Sequence, residues 1–128
     1  MDFTLKTKFD KSAEVIYSTW LQSEGHSLMT GGEANITDKV GASFSAWDGY
    51  ISGTNLVLEP FHRIQQSWRT SEFENNEPDS CIEILLEEVD GQTTLTLIHS
   101  GLSENGVQYI KGWEDFYFLP MMEYFSKL

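Results

Sequence analysis

Phe3, Leu5, Thr7 and Phe9 alternate with Thr4, Lys6 and Lys8, the period-two signature of a half-buried strand. Ser12 then caps a short helix in which Ala13, Ile16, Tyr17, Trp20 and Leu21 share one face. Ser23 to Thr30 predicts a second short helix, closed by Gly31-Gly32. Ala34 and Ile36, then Ala42, Phe44 and Ala46, predict two strands on either side of Asp38-Lys39. Asp48-Gly49 is a hairpin signal. Tyr50 to Glu59 is the next strand, stopped by Pro60, and Gly53 inside it marks a bulge or a close backbone approach. His62 to Thr70 sets Ile64, Gln66 and Trp68 on one face. An acidic, mobile loop is expected from Ser71 to Ser80. Beyond it, Cys81 to Val89 and Thr93 to His99 are strands joined at Asp90-Gly91, with Ile82, Ile84 and Leu86 facing one way on the first and Leu95, Leu97 and His99 on the second.

From Ser103 the period changes. Tyr109, Trp113, Phe116, Tyr117, Met121, Tyr124 and Leu128 recur at helical spacing, and Phe118, Leu119, Met122 and Phe125 broaden that face. Ser103 suits the cap, and Glu104 and Lys127 suit the two ends of the helix dipole. Pro120 predicts a kink or a restart, because it lacks an N–H and crowds the carbonyl of Phe116. Gly112 is expected to mark a close helix-to-sheet approach, with room for a ligand beside the Trp113 indole as the alternative. So greasy a helix is unstable in water without a concave partner, and the rest of the chain offers only strands to provide one. The expected class is α+β: a curved antiparallel sheet of about six or seven strands, laid out as a meander, around a long C-terminal helix, with two short helices after strand 1.

Composition narrows the function. Length predicts one domain over residues 1–128. With a net charge of −12 and only eight Lys and Arg, nucleic acid and anionic membranes are not expected partners. A single cysteine, Cys81, excludes an internal disulfide and a multi-cysteine metal site. Neither a signal-peptide pattern nor a membrane-length apolar run is present, so a cytoplasmic location is expected.

Several motifs carry a resemblance. Asp48-Gly49 with Gly53, Leu58 with Pro60, Ile64 and Trp68, Thr93 to His99, and Gly112-Trp113 stand in this order. They resemble the C-terminal domain of the activator of heat-shock protein 90 ATPase homologue family, in the START-like, SRPBCC superfamily. The resemblance implies the helix-grip fold of the birch-pollen allergen, and covers nearly the whole chain. Two positions depart from the family's habit: Ser12 stands where Pro is frequent, and Gly41-Ala42 where Gly-Gly is frequent. A heat-shock protein 90 type chaperone, its ATPase stimulated, is the partner the resemblance implies. The eukaryotic co-chaperones add a separate N-terminal domain for which these 128 residues have no room.

The residues offer little catalytic chemistry. His26, His62 and His99 lack metal spacing, and neither a metal nor another cofactor is expected. His99 and Ser100, adjacent on a strand, point to opposite faces and form no nucleophile–base pair. No convergent acid–base set supports a catalytic residue, which ranks a cyclase or hydrolase of the superfamily type last. The expected function is therefore non-enzymatic: a hydrophobic hollow between sheet and last helix that holds a small apolar or amphipathic molecule. Phe44, Trp68, Leu97, Trp113, Tyr117 and Met121 are expected to line it, with Gln66 and His99 orienting a polar group and Met29 guarding the opening.

Overall fold

A computed structural model, covering residues 1–128, gives the chain as β1 (Phe3–Phe9), α1 (Ala13–Trp20), α2 (Ser23–Thr30), β2 (Ser43–Ala46), β3 (Ile51–Glu59), β4 (Arg63–Thr70), β5 (Ser80–Val89) and β6 (Gln92–Ser100). A helical rod follows: a 3-10 turn at Glu104–Val107, α3 (Gln108–Trp113), a π-helical segment at Glu114–Phe118 and α4 (Leu119–Ser126). The six strands form one antiparallel sheet in the order β1-β6-β5-β4-β3-β2. Strands β2 to β6 are a meander, and β1 returns to lie beside β6. No helix is long and apolar enough to cross a membrane.

Register puts the buried residues of neighbouring strands side by side. Ile64, Gln66 and Trp68 of β4 stand opposite Ile84, Ile82 and Ser80 of β5. Ile82, Ile84 and Leu86 stand in turn opposite His99, Leu97 and Leu95 of β6. Their side chains share the face that receives the rod, and Trp68 and His99 both touch Trp113. The α1 helix contributes its expected face: Ala13, Ile16, Tyr17, Trp20 and Leu21 are all buried, and the Ser12 hydroxyl accepts from the Val15 N–H at 3.2 Å.

Ala34 and Ile36 are buried, but their segment is not a strand. It makes one bridge, Asn35 to Ser45. Competing side chains take the backbone groups that a ladder would need. Ser23 Oγ accepts from the Ile36 N–H and donates to the Ile36 carbonyl, and Asn55 Nδ2 donates to the carbonyls of Thr37 and Lys39. The Ser71–Ser80 stretch is also less free than its composition implies. Phe73 is buried against Trp68 and Tyr109, and Arg69 donates to the Glu74 and Glu77 carbonyls and to Asp79.

The rod departs from a plain α-helix. The Ser103 side chain makes no capping bond, and the first turn is 3-10. Pro120 does not break the rod, because the hydrogen bonding widens just before it and the Leu119 N–H donates to the Glu114 carbonyl, five residues back. That extra residue keeps Tyr109, Trp113, Tyr117, Met121 and Phe125, spaced by four, buried on one side. In an α-helix four such steps drift by about 160°, and one inserted residue takes back about 100°. Phe116, Leu119 and Met122, expected to share the covered face, are turned outward and exposed instead, as is Leu128.

Gly53 marks a close approach: a Cβ there would lie 1.9 Å from the Ser67 carbonyl oxygen and 2.7 Å from the Phe44 ring. The bulge in this strand falls farther along, between Asn55 and Val57. Gly53→Ala should therefore destabilise the fold by about 1–3 kcal/mol, read as a lower urea midpoint at unchanged slope. An unchanged midpoint would show that β3 and β4 can separate at no cost.

Candidate functional site

Between the rod and the β2–β3 end of the sheet lies a half-open cavity of about 370 Å³. Its helical wall is Tyr109, Gly112, Trp113, Phe116 and Tyr117, with the exposed Gln108 at the edge. The facing wall is Trp47 and Tyr50 from the turn, Ile51 from β3 and Trp68 from β4. Gly112 opens the space. A Cβ at this position would meet nothing within 4 Å, so the glycine does not serve close helix-to-sheet packing. It leaves room beside Trp113 instead.

Three of the residues expected at a binding hollow, Trp68, Trp113 and Tyr117, line this cavity. Met29, Phe44, Gln66, Leu97, His99 and Met121 do not; each is buried in the core behind it. The sequence reading missed Trp47, Tyr50, Ile51, Gln108, Tyr109 and Phe116 as lining residues. Three of them were within reach: Gln108, Tyr109 and Phe116 lie within about one helical turn of Gly112, where side chains three or four apart are neighbours.

Hydrogen bonds fix the wall from behind. The Trp113 indole donates to His99 Nδ1 at 3.0 Å, which makes Nδ1 an acceptor and puts the ring proton on Nε2. His99 Nε2 therefore donates to Ser80 Oγ at 2.9 Å, and Ser80 donates to the Trp68 carbonyl at 2.7 Å. Ser80 and His99 are a Ser–His pair absent from the sequence reading, which weighed only the adjacent Ser100. The proton runs the wrong way for nucleophile activation, because the imidazole donates to the hydroxyl instead of accepting from it. A second relay runs through α2. His26 Nδ1 donates to the Trp20 carbonyl and Nε2 accepts from the Tyr117 hydroxyl, both at 2.8 Å. Gln66 accepts from the Trp20 indole at 3.3 Å and donates to Asn55 Oδ1 at 2.8 Å. These polar groups are spent on one another, leaving the aromatic faces toward the cavity.

The turn that carries Trp47 is strained. Trp47 and Asp48 have φ of 51° and 58°, the left-handed region disfavoured for bulky side chains. Gly32 permits the arrangement, since a Cβ there would fall 2.5 Å from the Trp47 ring. The indole then reaches Phe116 edge-to-face, with centroids 5.7 Å apart, and its buried N–H has no partner. On the same side, the Tyr50 hydroxyl donates to the Glu72 carboxylate, and burial followed by that bond push the phenol well above its usual range.

A helix-grip domain with an aromatic cavity under its terminal rod is the class that these features define. The chain belongs to the family described as Activator of Hsp90 ATPase homolog 1-like protein, which matches residues 10–125. The fold is also that of an HSP90 activator from Plasmodium falciparum, at 21% identity and a TM-score of 0.82 over 93% of this chain and 91% of that one. CalU16 from Micromonospora echinospora is similar at 24% identity and a TM-score of 0.80, over 97% of this chain and 65% of that one. An uncharacterized Schizosaccharomyces pombe protein, C1711.08, is 26% identical over 98% of this chain, which spans only 37% of that protein.

Both buried histidines are held neutral. Burial lowers His99 to about 3, opposed by Asp2, and His26 to about 4, opposed by the Trp20 carbonyl. The unfolded chain takes up these protons near 6.5 while the fold refuses them, so stability is full above 6.5 and falls as the pH is lowered toward about 4. The loss should approach about 1.4 kcal/mol per pH unit for each histidine, read as urea midpoints between pH 7 and pH 4.5. His26→Asn should flatten part of that slope; an equally steep slope in the variant would remove His26 as a source.

Proposed function

We propose that residues 1–128 act as one non-enzymatic binding domain, whose cavity under the rod holds a small apolar or amphipathic molecule. The observation that carries this is the space at Gly112: an aromatic-walled volume of about 370 Å³, kept open at a helix position where any other residue would enter it. A glycine costs about 1 kcal/mol relative to alanine inside a helix, and no packing contact here repays that. The lining holds no Asp, Glu, His, Lys or Cys, and the Tyr109 and Tyr117 hydroxyls are bonded to Thr70 and His26, which favours binding over turnover. Trp68, Trp113 and Tyr117 are its proposed contact residues from the expected set, joined by Trp47, Tyr50, Tyr109 and Phe116.

Three of the four tryptophans line the space, so a ligand should change the intrinsic fluorescence saturably when a panel of aromatic and aliphatic molecules is titrated in. Gly112→Leu should abolish that change, weakening binding at least tenfold, while leaving the thermal midpoint unchanged or raised. Loss of stability in this variant, or retained binding, would count against the cavity as the site.

Family membership favours a second reading. The family's name and the relative from Plasmodium both refer to activation of Hsp90, which makes an Hsp90-type chaperone the protein partner to test. If that reading holds, adding the domain in excess should raise the chaperone's ATPase rate at least twofold. An unchanged rate would remove it.

A further inference from the structure

Charge and ring chemistry around the cavity discriminate among the ligands it would take. No Lys, Arg or His lines it. The two basic residues next in sequence to the lining, Arg69 and Lys111, are engaged elsewhere. Arg69, on the opposite face of β4 from Trp68, donates to Asp79 and to the carbonyls of Glu74 and Glu77. Lys111, on the exposed side of α3, pairs with Asp115 at 3.1 Å. A fatty acid or another anion would therefore meet no counter-charge inside. One acidic group is tied directly to the lining: Glu72, whose carboxylate accepts from the Tyr50 hydroxyl. The whole chain carries −12, so its field also favours the approach of a cation.

Seven of the ten lining residues are aromatic. Aromatic rings present negative faces, and a cage of them stabilises an organic ammonium without a direct ion pair, most strongly where water is excluded. The arrangement also keeps these rings fixed. Trp113 and Tyr117 are tied from behind through His99 and His26, Tyr109 shares a 2.6 Å hydrogen bond with Thr70, and Trp47 leans on Phe116. Rings held in this way need no reordering when a ligand enters, which limits the entropy lost on binding.

We infer that the ligand of this cavity is an organic ammonium cation with an apolar body, its charge held against the rings of Trp47, Trp113 and Tyr50 on the side facing Glu72. The inference rests on the binding reading above and adds the sign of the ligand's charge to it. A neutral body of the same shape would bury the same apolar area but gain no charge attraction from the ring faces or from Glu72.

Three probes separate the two levels: phenyltrimethylammonium, its uncharged isostere tert-butylbenzene, and benzoate, each titrated into the intact protein with tryptophan fluorescence as the readout. The ammonium should bind roughly five- to tenfold more tightly than the isostere, with benzoate weaker than both. Added salt should weaken only the ammonium. Glu72→Gln should lower ammonium affinity about two- to threefold and leave tert-butylbenzene unchanged, because Glu72 is exposed and outside the lining. Equal or tighter binding of tert-butylbenzene would overturn the cation preference while leaving the binding module standing. Tighter binding of benzoate would overturn it as well. Saturation with none of the three, together with no response to Gly112→Leu in the wider panel, would remove the binding module and this inference with it.

Discussion

The rod is held to the sheet by a hydrogen-bond relay buried among rings: Trp113 to His99, His99 to Ser80, and Ser80 to the Trp68 backbone. Each group in it is shielded from water, so breaking one contact strands its partner at about 1–3 kcal/mol. The relay works only with a neutral imidazole protonated on Nε2: burial keeps the ring neutral, and the Trp113 donor on Nδ1 sets the tautomer. It fixes the rotation of the rod about its own axis as well as its distance from the sheet. Hydrophobic burial alone would not do this, being non-directional.

That fixed rotation explains the cavity. With Trp113 anchored, the π segment before Pro120 sets which later residues turn inward, and Tyr117, Met121 and Phe125 follow it into the core. Gly112, one residue before the anchor, is the place where the rod has no side chain to fill the gap toward β3 and the Trp47 turn. A helix tied at one point and bare beside it leaves a hollow with rigid walls. The polar relays and the aromatic lining are thus two sides of one arrangement: hydrogen bonds behind, ring surfaces in front.

Much of this was legible in the residues. Alternation gave β1 and β4 to β6 to within a residue or two, because each has one buried face, and β3 was given by the turn signals at its two ends, Asp48-Gly49 and Pro60. The α1 face and its Ser12 cap were equally plain. Ala34 to Ile36 misled because burial alone resembles a strand, whereas the Ser23 and Ser27 hydroxyls of α2 bond its backbone groups at Ile36 and Ala34. The outward turn of Phe116 misled for a different reason: helical spacing assumes a constant period, and Pro120 removes a donor that the π segment then accommodates. For the cavity, the sequence named the right helix and the right glycine but favoured the wrong reading of it. Trp47 was hidden because its placement depends on left-handed backbone at a non-glycine residue, which composition does not signal.

Strand β1 lies beside β6, and Phe9 packs edge-on against Phe125. The two extremes of the chain therefore close the same wall, and no shorter N-terminal fragment contains both halves of it. During synthesis the early strand and the two small helices must remain without their final cover until the rod has emerged. Contacts so distant along the polymer slow the search for the native arrangement and lengthen the interval in which the tryptophan-rich interior is open to solvent. The arrangement thus carries a kinetic burden at birth: its hydrophobic surfaces stay uncovered until the last helix arrives.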